Sequence, residues 1–202
     1  MSLTLYYSPT SPFARKVRIA AIELGLNNEL ELIALNPFEA GADYWAVNPL
    51  SKIPSLVTRD GFVLPDSRLI LDYLRTLGDA LEADGANDWA NRKRQQLADG
   101  VIDAAVSANL EQRREAQRIS KHWFERQLAA VRRALAFLEA EAGQLRTSGR
   151  ITVAEISVAS ALGYLDLRLS NSLDWRSESV QLASWFATIS QRPAVRDTVP
   201  PV

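Results

Sequence analysis

The 202-residue sequence has no cysteine and a single histidine. Disulfides, thiolate metal sites and a cysteine nucleophile are therefore excluded, and His122 cannot build a zinc site unless carboxylates supply the rest. Its place beside Trp123-Phe124 at a helix start reads as structural. Any thiol chemistry must use a thiol that the substrate brings. Long apolar runs are missing too: none approaches the ~18 residues of a membrane span. Met1-Ser2-Leu3 leads into a strand with no basic segment or cleavage motif, which predicts a cytoplasmic protein without a membrane partner. Charge of one sign is also lacking. With 23 Lys and Arg against 24 Asp and Glu, and a net charge of -1, no nucleic-acid surface is expected. The densest basic group, Arg92-Lys93-Arg94, reads as a solvated helix face.

What is present is an ordinary globular composition, 47% hydrophobic and 23% charged, in a chain long enough for one large domain or two small ones. Leu3 to Tyr7 reads as a strand. Pro12 to Leu24 has helical spacing (Phe13, Val17, Ala20, Ala21, Leu24) and is closed by Gly25. Glu29 to Leu35 alternates as a second strand, and a loop or short helix leads to Pro54–Thr58 and Phe62–Leu64, joined by Asp60-Gly61. A helix from Asp66 to Leu77 ends at Gly78. The order β-α-β then β-β-α predicts a parallel pair followed by a hairpin, in an α/β domain over residues 1–78.

Residues 79–87 are small and polar and read as a linker. After it no strand-like alternation persists, so 88–202 is expected to be an all-helical domain. One long helix runs from Trp89 to about Gln117. The next carries Phe124, Leu128, Val131, Leu135 and Leu138 on one side. Thr152 with Glu155 forms a capping box and Ile151 with Ile156 a hydrophobic staple, opening a helix to Leu169 that is apolar almost all round. Such a helix belongs at the centre of its domain. Val180, Leu182, Trp185, Phe186 and Ile189 suggest a last helix, stopped near Pro193.

The stretch from Asn48 to Ser67, NPLSKIPSLVTRDGFVLPDS, carries the functional signal. Pro54 cannot donate to a sheet ladder, so it belongs at a strand entrance, with Ile53 extended and its backbone open to pair with a peptide. Asp66 and Ser67 follow where the hairpin meets a helix, offering a carboxylate and exposed N–H groups. Together they read as a clamp for a small peptide. Ser11, before Pro12, has the position of a helix N-cap, but Ala14 at N3 rules out a reciprocal capping box.

Four motifs in order, SPTSPFARKVRIA, NPLSKIPSLV, LPDSRLILDYL and ITVAEISVASA, make the whole chain resemble the cytosolic glutathione transferases, most closely bacterial members of serine type similar to the theta and tau classes. The resemblance implies an N-terminal thioredoxin-like domain, an all-α C-terminal domain, and a homodimer with a detoxification role. Glutathione is then the co-substrate, with no metal, and its sulfur is transferred to a small hydrophobic electrophile bearing an alkyl or aryl group. Ser11 is the implied thiolate-activating hydroxyl, with Thr10 and Tyr7 as alternatives. The resemblance further implies a cis Pro54, with Ile53 bonding the cysteinyl backbone. Asp66 and Ser67 hold the γ-glutamyl end, Lys52 reaches the glycyl carboxylate or is a solvated loop lysine, and Asp103 reaches the γ-glutamyl amine of the opposite subunit. Phe13, Val106, Ser107 and Leu110 are expected around the electrophile. The same fold also serves non-catalytic glutathione-binding or protein-interaction proteins and glutathione-dependent peroxidases. A thiol-disulfide reductase is disfavoured, because no cysteine can form the mixed disulfide.

Overall fold

The computed structural model describes residues 2–78, 81 and 88–201. The chain divides into two compact units, Met1–Ala83 with Asp197–Val202, and Asp84–Arg196. The expected linker, 79–87, lies outside the described residues except for Leu81, which is buried.

The first unit contains β1 (Leu3–Tyr7), α1 (Pro12–Glu23), β2 (Leu30–Ala34), α2 (Ala42–Val47), β3 (Ser55–Val57), β4 (Val63–Pro65) and α3 (Ser67–Arg75). Its sheet has the order β2-β1-β3-β4. β1 and β2 are parallel, as a helical crossover allows, and the other two pairings are antiparallel. Leu3 and Leu5 alternate onto the inner face beside Leu56. Val17 and Ala20 of α1 and Ile70, Leu71 and Leu74 of α3 bury against them, all at 0% exposure. Gly25, at φ 73°, ends α1 in the left-handed conformation that an L side chain resists.

The hairpin turn is built as Asp60-Gly61 predicts, with Gly61 at φ 84°. The Thr58 hydroxyl bonds the Asp60 carboxylate. The second hairpin strand begins one residue later than the expected Phe62–Leu64, because Phe62 lies in the turn and is 64% exposed. Pro65 can end β4 because this is an edge strand, where a missing N–H costs no ladder bond.

The second unit is helical: α4 (Trp89–Gln112), α5 (Lys121–Ala140), α6 (Val153–Arg168), α7 (Trp175–Glu178), α8 (Val180–Ile189) and α9 (Pro193–Arg196). Every residue of α6 from Val153 to Leu162 is buried, as its all-round apolar pattern predicts, and α4 and α8 pack on it. On α5 the seam of Leu128, Val131, Leu135 and Leu138 is buried. The capping box at the start of α6 is formed.

Other boundaries also differ from the sequence reading. α4 ends at Gln112, short of Gln117, because the buried Glu111 carboxylate accepts the Ser120 amide at 2.7 Å and turns the intervening chain back. α8 ends at Ile189, and Pro193 opens α9 rather than stopping its predecessor, using the fixed φ that suits a first helical residue. The last segment, Asp197–Val202, groups with the first unit instead of the helical one. There the Arg15 guanidinium donates to the Thr198 hydroxyl at 3.5 Å, and Thr198 is fully buried. Among the described residues, no helix is long and apolar enough to cross a membrane.

Candidate functional site

Strand register determines which sequence-predicted residues meet. Ser55 pairs with Tyr6 on one side and with Pro65 on the other. The residues just beyond that row, Tyr7 at the end of β1 and Ser8 after it, Ile53-Pro54 before β3 and Asp66-Ser67 after β4, therefore share one end of the sheet. Ser11 belongs to the same end, because its amide donates to the Ser8 carbonyl at 3.0 Å and folds the chain into α1.

Ser11 is the N-cap of α1. Its backbone is extended (φ -75°, ψ 120°), and its hydroxyl oxygen accepts the Ala14 amide at 3.2 Å. Capping occupies one lone pair. The hydroxyl proton is not spent, and no acceptor among the described residues takes it. The neighbouring hydroxyls differ: Thr10 lies 3.4 Å from the Ser8 hydroxyl, and the Tyr7 ring stacks under the Arg18 guanidinium at 5.4 Å.

The Ile53–Pro54 peptide bond is cis. Around the preceding carbonyl, that of Lys52, three buried side chains converge. Tyr44 donates to it at 2.5 Å and Asn48 at 2.8 Å, and the Ser55 hydroxyl lies 3.3 Å away. Tyr44 and Ser55 are also 2.9 Å apart, and Asn48 donates its second amide proton to Ser55 at 2.9 Å. Burial raises the Tyr44 pKa above its ordinary value, so the phenol stays a proton donor. Sequence reasoning missed this cluster. Contacts between α2, a loop and a strand leave no periodicity to read.

Asp66 is the N-cap of α3, its carboxylate accepting the Arg68 amide at 2.8 Å. Its backbone sits at φ 84°, ψ 133°, a conformation costing roughly 1–3 kcal/mol in a residue with a Cβ. The carboxylate is exposed, while Ser67 behind it is 2% exposed at the first helical position. A helix N-terminus and a carboxylate side by side offer a cation partner and an anion partner to one zwitterionic group. The Lys52 side chain is exposed at the same loop.

Phe13 is half-buried in the first turn of α1, with the Lys16 ammonium 5.7 Å from its ring centroid. Asp103, Val106, Ser107 and Leu110 lie at three- and four-residue steps along α4, in the second unit, and so share a helix face. Asp103 is exposed, Val106 and Leu110 are half-buried, and the Ser107 hydroxyl accepts the Trp123 indole N–H at 3.1 Å. His122 is exposed near the start of α5. The basic triplet is structural: Lys93 and Arg94 both pair with Glu141, and Arg92 lies over Trp89. Among the described residues, no group of three or more His, Asp or Glu side chains could hold a metal ion.

Comparison with known proteins identifies the family. The family models of the glutathione S-transferase N-terminal and C-terminal domains match residues 10–77 and 121–188. An uncharacterised GST-like protein of Escherichia coli K12, YibF, is 33% identical over 98% of this chain and 99% of its own. A glutathione transferase family member from Pseudomonas fluorescens Pf-5, solved with bound glutathione, is 42% identical, covers 100% of both chains and superposes with a TM-score of 0.92. A glutathione S-transferase from Methylobacillus flagellatus KT, also solved with glutathione, is 35% identical over 99% of this chain and 100% of its own, with a TM-score of 0.89. The chain belongs to the glutathione S-transferase superfamily.

Proposed function

We propose that this chain binds glutathione at the common sheet end and transfers its sulfur to a hydrophobic electrophile, with Ser11 activating the thiol. The supporting observation is that one end of the sheet gathers an unspent hydroxyl proton on Ser11, a cis Ile53–Pro54 peptide and an exposed carboxylate at Asp66 beside the α3 N-terminus. Relatives solved with glutathione share this fold over the whole chain. Ile53 pairs with the cysteinyl backbone, Pro54 fixes that edge, Asp66 takes the γ-glutamyl ammonium and Ser67 its carboxylate. Lys52 faces the glycyl end as a point charge.

The energetics suit a serine without a general base. A cysteine thiol of pKa ~8.5 is only about 3% ionised at pH 7, and a downward shift of ~2 units requires about 2.7 kcal/mol of preference for the thiolate. One hydrogen bond to a charged group supplies ~1.5–3 kcal/mol and a helix N-terminus ~0.3–1. The Ala14 amide already donates to the Ser11 oxygen, which polarises the hydroxyl and strengthens it as a donor. The thiol proton leaves to solvent, a sulfur lone pair forms the new C–S bond, and the leaving group departs with its electron pair. Phe13 and the α4 residues Val106, Ser107 and Leu110 are the candidates to contact the electrophile. The active form is a cytoplasmic homodimer in which Asp103 reaches the partner's glutathione.

The Ser11–Ala14 bond also accounts for Ser11 as a cap alone, which favours a second reading, a glutathione-binding protein of the same fold without turnover. Retention on immobilised glutathione, followed by turnover of 1-chloro-2,4-dinitrobenzene, separates the two. Retention with turnover is expected. Retention without turnover selects the binding reading, and failure to be retained rejects both. Light scattering is expected to give a dimer; a strict monomer removes the cross-subunit role of Asp103.

A further inference from the structure

We propose that Tyr44, Asn48 and Ser55 are positioning residues, which hold the Lys52–Ile53 peptide so that Ile53 alone presents its main chain to the peptide backbone of the thiol substrate. The inference rests on the glutathione reading above and deepens it.

Proton counting shows that the cluster serves the loop rather than a ligand. A carbonyl oxygen has two lone pairs, and three donors converge on Lys52 O. The two shorter bonds, from Tyr44 at 2.5 Å and Asn48 at 2.8 Å, fill them. The Ser55 proton then goes to the Tyr44 oxygen at 2.9 Å, while the Ser55 oxygen takes the second Asn48 proton at 2.9 Å. The Asn48 side-chain carbonyl accepts the Leu50 amide at 3.0 Å. All three side chains are buried, at 6% exposure or less, and every polar group among them is satisfied within the loop. None is left over to touch a substrate.

What the cluster determines is direction. With its carbonyl tied inward, Lys52 cannot offer that group to an incoming strand. The next main-chain groups, those of Ile53, make no hydrogen bond to the described residues. Tyr44 is also fixed from behind, its ring 5.3 Å from that of Tyr6 on β1, so the loop is referenced to the central strand of the site. The loop is pinned at a second point, where the Ser51 hydroxyl donates to the Pro37 carbonyl at 3.0 Å. A peptide bound to a pre-ordered edge does not have to order it, and each freed residue would weaken binding by roughly tenfold.

Tyr44→Phe tests this in the full chain, because it removes the phenolic proton and keeps the ring against Tyr6. The expected result is a glutathione KM raised about tenfold, with kcat at saturating glutathione and the KM for 1-chloro-2,4-dinitrobenzene both unchanged. Asn48→Ala should move the glutathione KM in the same direction and carries the test if Tyr44→Phe does not fold. A lower melting temperature or lower kcat with an unchanged glutathione KM would make the cluster merely structural and overturn the assignment. If the unsubstituted protein is retained on glutathione and Tyr44→Phe leaves KM unmoved, only the positioning role fails. If the unsubstituted protein is not retained, the glutathione reading itself fails.

Discussion

The start of α6 in the helical unit and the starts of α1 and α3 in the sheet-bearing unit use similar residues and leave them in opposite states. At α6, in the helical unit, the Thr152 hydroxyl accepts the Ala154 amide at 3.1 Å and donates to Glu155 at 2.6 Å. Glu155 also accepts the Thr152 amide at 2.7 Å and the Arg146 amide at 3.1 Å. Both side chains are 1% exposed, and the cap is closed. At α1 and α3, in the sheet-bearing unit, Ser11 and Asp66 each accept a single amide, which leaves a proton on one and a carboxylate oxygen on the other. A closed cap spends all its capacity on the fold. An open cap gives a helix its start and keeps a group for something else, so the difference separates capping that ends in stability from capping that can also serve chemistry.

The largest expected effect comes from breaking the closed cap. Glu155→Ala leaves the amides of Thr152 and Arg146 without their acceptor, at roughly 1–3 kcal/mol each. A loss of about 3 kcal/mol lowers Tm by ~6–12 °C in a chain of this length. Thermal unfolding followed by circular dichroism checks it. A fall of under ~2 °C would show that the α6 start is held by packing instead.

Ser11→Ala should separate the two duties of an open cap. Removing the cap costs ~1 kcal/mol, a few degrees of Tm. Losing a hydrogen bond to a thiolate costs ~1.5–3 kcal/mol of transition-state stabilisation, which is about a 10- to 150-fold fall in kcat/KM. Retention on immobilised glutathione should persist. An unchanged rate alongside the small Tm loss would reduce Ser11 to a cap and direct attention to Thr10 or Tyr7.

Asp66 sharpens the contrast further, because here fold and binding should move in opposite directions. Asp66→Gly sacrifices a few tenths of a kcal/mol of capping and relieves a backbone held at φ 84°, for a net gain of ~1 kcal/mol. Glutathione affinity should nevertheless fall about tenfold or more with the lost ion pair. Asp66→Asn keeps the cap, so its stability should match the parent while affinity falls alike. Calorimetric titration with glutathione, paired with urea unfolding, checks both. Unaltered affinity in both variants would remove Asp66 from the site.

The sequence made some of this legible and hid the rest, for physical reasons. The capping box was readable because Ser/Thr and Glu three residues apart encode a local hydrogen-bond pattern, and α6 was readable because an all-round apolar helix has only one place to go. Ser11 and Asp66 were readable as cap positions, since a following proline or a following helical run marks them. The strained φ of Asp66 was not, because φ is decided by the hairpin it closes. The Tyr44, Asn48 and Ser55 cluster was also hidden, since it joins a helix, a loop and a strand that no spacing relates. Pro193 misled because a proline that ends one helix and one that opens the next look alike in sequence.

The smallest effect follows from the one buried, hydrogen-bonded tyrosine that each unit carries. Burial raises the pKa of Tyr44 in the first unit and of Tyr164 in the second, where Asn109 donates to its oxygen at 3.2 Å and Arg168 and Arg113 partly offset the rise. A group whose folded pKa lies above its unfolded value adds stability that is fully present below the unfolded pKa, about 10 for tyrosine, and is lost as pH rises through the folded value. The urea midpoint should therefore be level from neutral pH to about 10 and fall above it. Tyr164→Phe should leave an alkaline fall that reports Tyr44 alone, and Tyr44→Phe one that reports Tyr164. A midpoint that stays level above pH 10 in either variant would mean that burial does not hold the remaining phenol neutral, and would set the two units apart in how they protect a buried hydroxyl.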